Sequence, residues 1–193
     1  MARNDWPFYV LVVGILVIGG MFIWINFSPI WFSPTSTGSG DTVVLTFVEG
    51  NDYTSLESVD IGGSSGAYRL SGGHQLHDAI AETEFSDVEE ATLEIDMYFT
   101  TQNPRTSIKV YSGSTCVINW TQDGLISMYQ WHRVKIIFNS NSRRYSVYVD
   151  GIVKVSNGIF LKHSAGDIDQ IDIQIPLGPD NEVYFVPVSF TVI

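Results

Sequence analysis

The chain has 193 residues, 45 % of them hydrophobic and only 16 % charged, with a formal net charge of −11 and one cysteine. An acidic balance of this size excludes nucleic-acid binding, which needs a basic face, and a lone Cys116 excludes an intrachain disulfide. Abundant apolar residues beside so little charge point to one folded domain plus a segment that is not in water.

That segment comes first. After a short inner tail over 1–6, Pro7 to Phe32 contains no charged residue, and its core from Phe8 reads FYVLVVGILVIGGMFIWI. A helix of about 20 residues crosses a hydrocarbon layer of about 30 Å, so 7–32 is predicted to be one transmembrane helix. Trp6, Trp24 and Trp31 lie toward its ends, where indoles anchor a helix at the interface. A cleavable signal peptide needs a shorter apolar run and a small-x-small site, and a pilin-like helix needs a basic-Gly site ahead of the run; neither pattern is present. Arg3 and the terminal amine precede the helix, and no Lys or Arg follows it before Gly40. This small bias predicts a single-pass membrane protein, amino terminus inside and acidic domain outside. Gly14, Gly19 and Gly20 either admit a neighbouring helix or simply tolerate lipid. Residues 33–41, rich in Ser, Thr, Gly and Pro, read as a flexible linker.

Residues 42–193 are predicted to form the outer domain. Thr42 to Val48 reads as the first strand. Asn51 to Gly66 is polar and punctuated by glycines, and Ala67 to Leu70 is a short strand. His74 to Glu90 is acidic and reads as a loop or short helix. Ala91 to Thr100 alternates cleanly, with Leu93, Ile95, Met97 and Phe99 opposite Thr92, Glu94, Asp96 and Tyr98. Ser107–Tyr111 and Thr115–Trp120 flank a Ser112-Gly113 turn, and Cys116 alternates with Ile118 and Trp120 as a small core residue would. Leu125–Tyr129 leads into the most informative stretch, WHRVKIIFNSNSRRYSVYVDG from Trp131. There Val134, Ile136 and Phe138 oppose Arg133, Lys135 and Ile137, and Tyr145, Val147 and Val149 oppose Ser146, Tyr148 and Asp150. Asn139 to Ser142 suits a turn, and Asp150-Gly151 turns the chain back into Ile152–Val155. Ile168–Ile175 alternates again. Glu182–Ile193 is a terminal strand whose apolar run FVPVSFTVI could be an edge covered by a partner. Some ten short strands with regular turn signals and little helix predict an all-β antiparallel sandwich or jelly roll rather than an α/β fold.

A strand opening on Trp131-His132, a polar turn, and the strand Tyr145-x-Val147-Tyr148-Val149-Asp150-Gly151 together resemble the concanavalin A-like lectin/glucanase group, including its laminin-G-like members. The resemblance covers about a tenth of the chain. It implies a jelly-roll sandwich and, for many members, glycan binding. It also directs attention to Glu94-Ile95-Asp96, which is similar to the start of that group's Glu-x-Asp-x-x-Glu catalytic motif. A retaining pair needs two carboxylates about 5–5.5 Å apart, but the final position here is Phe99. The incomplete set argues against a glycosidase.

Trp120, Tyr129, Trp131, Tyr148 and Tyr184 are the aromatics that could stack on sugar rings. Glu82, Glu84, Asp167 and Asp169 are the candidates for calcium, although no Asp-x-Asp-x-Asp-Gly loop accompanies them. No other cofactor is implied. His74 and His77, three apart, lack further ligands nearby, and Asn119-Trp120-Thr121 matches a glycosylation acceptor placed in a strand. The expected function is therefore a membrane-anchored, non-catalytic sandwich, serving as a structural or assembly subunit of a membrane complex, envelope or virion. Its expected partners are the lipid membrane and other protein subunits. The alternative is a surface glycan-binding lectin, followed by a glucan hydrolase or a filament subunit.

Overall fold

The structure, a computed structural model, describes residues 40–72, 77–100, 105–122, 127–163, 166–176 and 181–193. The predicted transmembrane segment with Trp6, Trp24 and Trp31, most of the linker, His74, Leu125 and Ile126 lie outside them. Among the described residues no helix is long and apolar enough to cross a membrane.

Among the described residues thirteen strands follow in order: β1 (Thr42–Val43), β2 (Val48–Glu49), β3 (Thr54–Ile61), β4 (Ser64–Gly72), β5 (Ala79–Val88), β6 (Glu90–Phe99), β7 (Ser107–Ser112), β8 (Thr115–Thr121), β9 (Trp131–Asn139), β10 (Arg144–Val149), β11 (Ile152–Ile159), β12 (Ile168–Ile175) and β13 (Glu182–Val192). They form two antiparallel sheets. The larger runs β11-β10-β9-β6-β13-β4-β3, with β1 also on β13, and the smaller runs β2-β5-β12-β7-β8.

The period-two alternation decides which side of each strand is buried. From the larger sheet Leu93, Ile95, Met97, Phe99, Ile136 and Phe185 are fully buried, and from the smaller sheet so are Ala81, Ile108, Val110, Ile171 and Ile173. They meet in one core cluster, the inner layer of a sandwich. Aromatic contacts join the layers: the Phe85 ring lies 4.6 Å from Phe190 and the Phe47 ring 5.0 Å from Phe185. Each such side chain contributes on the order of 1.5–3 kcal/mol on burial.

Five expectations are corrected. Thr42–Val48 is not one strand: the chain leaves β13 after Val43, buries Leu45 and Phe47, and joins β5 at Val48 in the other sheet. The polar stretch after Asn51 contains β3, paired along its length with β4. The acidic stretch before Glu90 is β5, whose inward side is Ala79, Ala81, Thr83 and Phe85. The terminal strand β13 is no edge, since it pairs with β6 on one side and with β4 and β1 on the other. Its Pro187 sits at a register irregularity against β6, where the missing N–H is tolerated. Cys116 is only half-buried. A shift between Val110 and Tyr111 breaks the alternation of β8, so Val117 and Ile118 are both buried and Cys116 sits opposite Tyr111.

Candidate functional site

The larger sheet turns the polar halves of β6, β9 and β10 outward. Register alone places its side chains in rows. Tyr148, Lys135 and Glu94 are cross-strand neighbours, as are Arg133 and Asp96. One row along, Trp131, Tyr98, Tyr184, Arg69 and Glu57 line up over five strands. An open groove of about 470 Å³ runs over this face, lined by Glu94, Arg133, Lys135, Ile137, Tyr148, Asp150 and Gly151.

The groove's charges hold one another in place. Arg133 makes a bidentate pair with Asp96, Nε to Oδ1 at 2.7 Å and Nη2 to Oδ2 at 2.8 Å. Lys135 Nζ stands 3.3 Å from Glu94 Oε1, and Arg133 Nη1 4.0 Å from Glu94 Oε2. The planar guanidinium fork gives the first pair a fixed geometry.

Asp150 closes one end. Its Oδ1 accepts the Arg133 N–H at 2.9 Å, and its Oδ2 lies 2.6 Å from Nδ1 of His132. Burial pushes the Asp150 carboxyl up, but the hydrogen bonds from His132 and Arg133 outweigh it and hold the group below the usual carboxylate range. His132, 5 % exposed, has its Nε2 2.7 Å from the Ser127 carbonyl, so both ring edges are tied. Asp150 and Gly151 both have positive φ, 50° and 76°. This two-residue turn between β10 and β11 is what aims the carboxylate back at β9.

The aromatic row is continuous. Tyr98 lies 5.5 Å from Trp131 and 6.0 Å from Tyr184, ring centre to ring centre. The Tyr184 hydroxyl donates to Glu182 at 3.1 Å. Burial, then that bond, pushes the Tyr184 phenol up.

Of the aromatics singled out in the sequence, Tyr148 lines the groove and Trp131 heads the aromatic row. Tyr129 is 66 % exposed just ahead of β9. Trp120 is corrected: at 8 % exposure it belongs to the core, with no ring face to offer a sugar. Glu94 and Asp96 face outward while Phe99 is fully buried on the inner side of the same strand. Tyr184, also singled out, stands in the aromatic row, but Arg133, Lys135, Asp150 and Tyr98 were missed as site residues. Their signal was available, because each shares an outward face with Trp131 or Tyr148.

Asp167 accepts from Ser140 Oγ at 3.2 Å and Asp169 from the Gly113 N–H at 2.9 Å. Glu82 and Glu84 stand on β5, opposite Asp172 and Gln170 of β12. Burial, then Asp172 and Glu84, pushes the Glu82 carboxyl up. Among the described residues no three His, Cys, Asp or Glu side chains come together to hold a metal ion.

No protein-family model and no curated protein matches the chain. Solved structures do. A sialidase is similar over 74 % of this chain at 14 % identity and a TM-score of 0.52, and this chain spans only 16 % of that protein. The carbohydrate-binding module CBM66 from Bacillus subtilis is similar over 75 % of this chain and 94 % of its own, at 12 % identity and a TM-score of 0.46. The binding domain of botulinum neurotoxin DC in complex with SialylT matches over 76 % of this chain and 42 % of its own, at 14 % identity and a TM-score of 0.46. The likeness to the sialidase shows a shared β-sandwich fold.

Proposed function

We propose that this domain binds glycans on the outer face of its larger sheet, held at a membrane surface by the apolar segment 7–32 with the domain outside. The observation that carries the reading is the groove over β6, β9 and β10, lined by Tyr148 together with Arg133, whose guanidinium is locked on Asp96. Sugar recognition needs such a combination: an aromatic surface for the C–H face of the ring and fixed polar groups for the hydroxyls. Trp131 and Tyr129 extend the aromatic surface toward the start of β9. We read the domain as a binding domain rather than a hydrolase, because Glu94 and Asp96 are engaged by Lys135 and Arg133 and Phe99 points into the core. The test is a glycan array probed with the detergent-extracted full chain. Binding that Tyr148→Ala and Arg133→Ala each abolish supports the proposal. Binding to no glycan on the array removes it.

One observation favours a second reading, a structural or assembly subunit of a membrane complex. The edge strand β11 exposes Ile152 at 65 %, Val153 at 52 % and Ile159 at 53 %, and an open apolar edge invites a partner. Under this reading proteins co-purify with the extracted chain and are lost in Val153→Lys. An extract that runs as a lone monomer removes it.

A further inference from the structure

We infer that Asn119 is an acceptor for an N-linked glycan, carried on the free edge of the smaller sheet. Asn119-Trp120-Thr121 has the acceptor pattern, but a pattern inside a strand means little until its exposure is known. Here β8 is the terminal strand of its sheet. Asn119 and Thr121 are both exposed, while Trp120 between them is buried and fixes the strand to the core. The Thr121 hydroxyl donates to Asn119 Oδ1 at 3.5 Å, so the two side chains of the pattern lie on the same outward face. A bulky, solvated substituent at this point meets solvent rather than core.

The location also gives the modification a physical role. Among the described residues β7 alone pairs with β8 as a strand, and the far edge of β8 receives the Leu161 N–H at the Val117 carbonyl, two residues before Asn119. Among the described residues no other backbone group bonds to that edge. Open edges template pairing with other chains, and natural sheets cover or block them. A glycan on Asn119 would block this one.

The step needs a lipid pyrophosphate-linked oligosaccharide as co-reactant. The Asn119 side-chain nitrogen bonds to the sugar C1 and gives up one proton. The C1–O bond to phosphate breaks, the lipid pyrophosphate leaves with the electron pair, and nothing is oxidised or reduced. The inference rests on the outward placement proposed above, because modification occurs only on that side of the membrane.

The experiment is translation of the full chain with microsomes that carry this donor. Asn26→Gln is present throughout, to silence the second acceptor pattern at Asn26-Phe27-Ser28. The expected result is one endoglycosidase-sensitive mobility step, lost in Asn119→Gln and Thr121→Ala and kept in Thr121→Ser. A control variant, Arg143→Thr, creates an acceptor at Asn141 in the exposed turn between β9 and β10. If that acceptor is modified and Asn119 is not, the inference is overturned while the outward placement stands. If neither is modified, the outward placement fails and the inference with it.

Discussion

Arg133 does two jobs that a single substitution can separate. Its side chain is half exposed, 50 %, so its ion pairs add only about 0–1 kcal/mol to folding. Yet it is the rigid donor among the residues that line the groove. Arg133→Lys keeps the charge and loses the fork. We expect at least about a tenfold loss of glycan affinity in this variant, equivalent to about 1.4 kcal/mol, with a urea midpoint close to the parent's. Titration calorimetry beside chemical denaturation checks both halves. Asp172, at 4 % exposure on β12, supports a different prediction. Burial pushes its carboxyl up, against opposing hydrogen bonds from Gln170 and Tyr111 and the charge of Lys109. A carboxyl raised in the folded state binds protons more readily there than in the unfolded chain. Stability therefore falls as pH rises from the ordinary carboxylate value, about 3.9 for Asp, through the raised one. Glu82 and Asp169 act in the same direction. Asp150, held low, acts oppositely, and its contribution is lost as pH falls through its folded value. The melting temperature should accordingly rise on mild acidification and drop in stronger acid. Asp172→Asn should flatten the upper part of that profile; a wild-type melting temperature that climbs steadily from mild acid to neutrality contradicts the assignment.

At the scale of the element, legibility followed the size of the inward side chains. β6, β9, β10 and β12 were readable because Leu, Ile, Val, Met and Phe alternate with polar residues. β5 was not, since two of its inward positions are Ala79 and Ala81, whose small side chains hid the period among the six acids from Asp78 to Glu90. β3 was missed for a related reason, being a partly exposed edge strand whose inner positions are few. The bulge in β8 reversed Cys116 because alternation cannot report a register slip. The groove was only half legible: each strand showed its outward residues, but that Tyr148, Lys135 and Glu94 share a row depends on pairings between distant segments. Turns carry the element-scale prediction. Gly72 ends β4 at φ 103°, and an added Cβ would lie 2.5 Å from the Tyr53 carbonyl oxygen. Gly151 also has positive φ, 76°, but nothing lies near its missing Cβ. Gly151→Ala should cost about 1–2 kcal/mol from conformation alone, and Gly72→Ala clearly more, because backbone must move. Equal urea midpoints for the two variants would contradict this ranking.

For the whole molecule, the distribution of charge sets the terms of the proposed glycan binding. Arg3 and Asp5 are the only charged side chains before Asp41 and they cancel, so the net −11 belongs entirely to the residues from 41 onward. Every described core residue also lies in that part, between Leu45 and Val192. A chain beginning at Asp41 should therefore fold and melt cooperatively, and on the proposed anchoring it should no longer sediment with membranes. The same charge bears on ligand choice. In the groove, Arg133 and Lys135 are already balanced by Asp96 and Glu94, so they present directed donors rather than a positive field. An acidic sugar approaching the domain meets the repulsion of the whole surface, which screening weakens over about 10 Å at 0.1 M salt. A neutral sugar meets only the local hydrogen bonds. Neutral glycans should bind with affinity nearly independent of ionic strength, and acidic ones more weakly at low salt than at high. Titrations of a neutral and a sialylated oligosaccharide at two salt concentrations decide the matter. Tighter sialoside binding at low salt would mean that the cations of the groove, not the acidic surface around it, govern recognition.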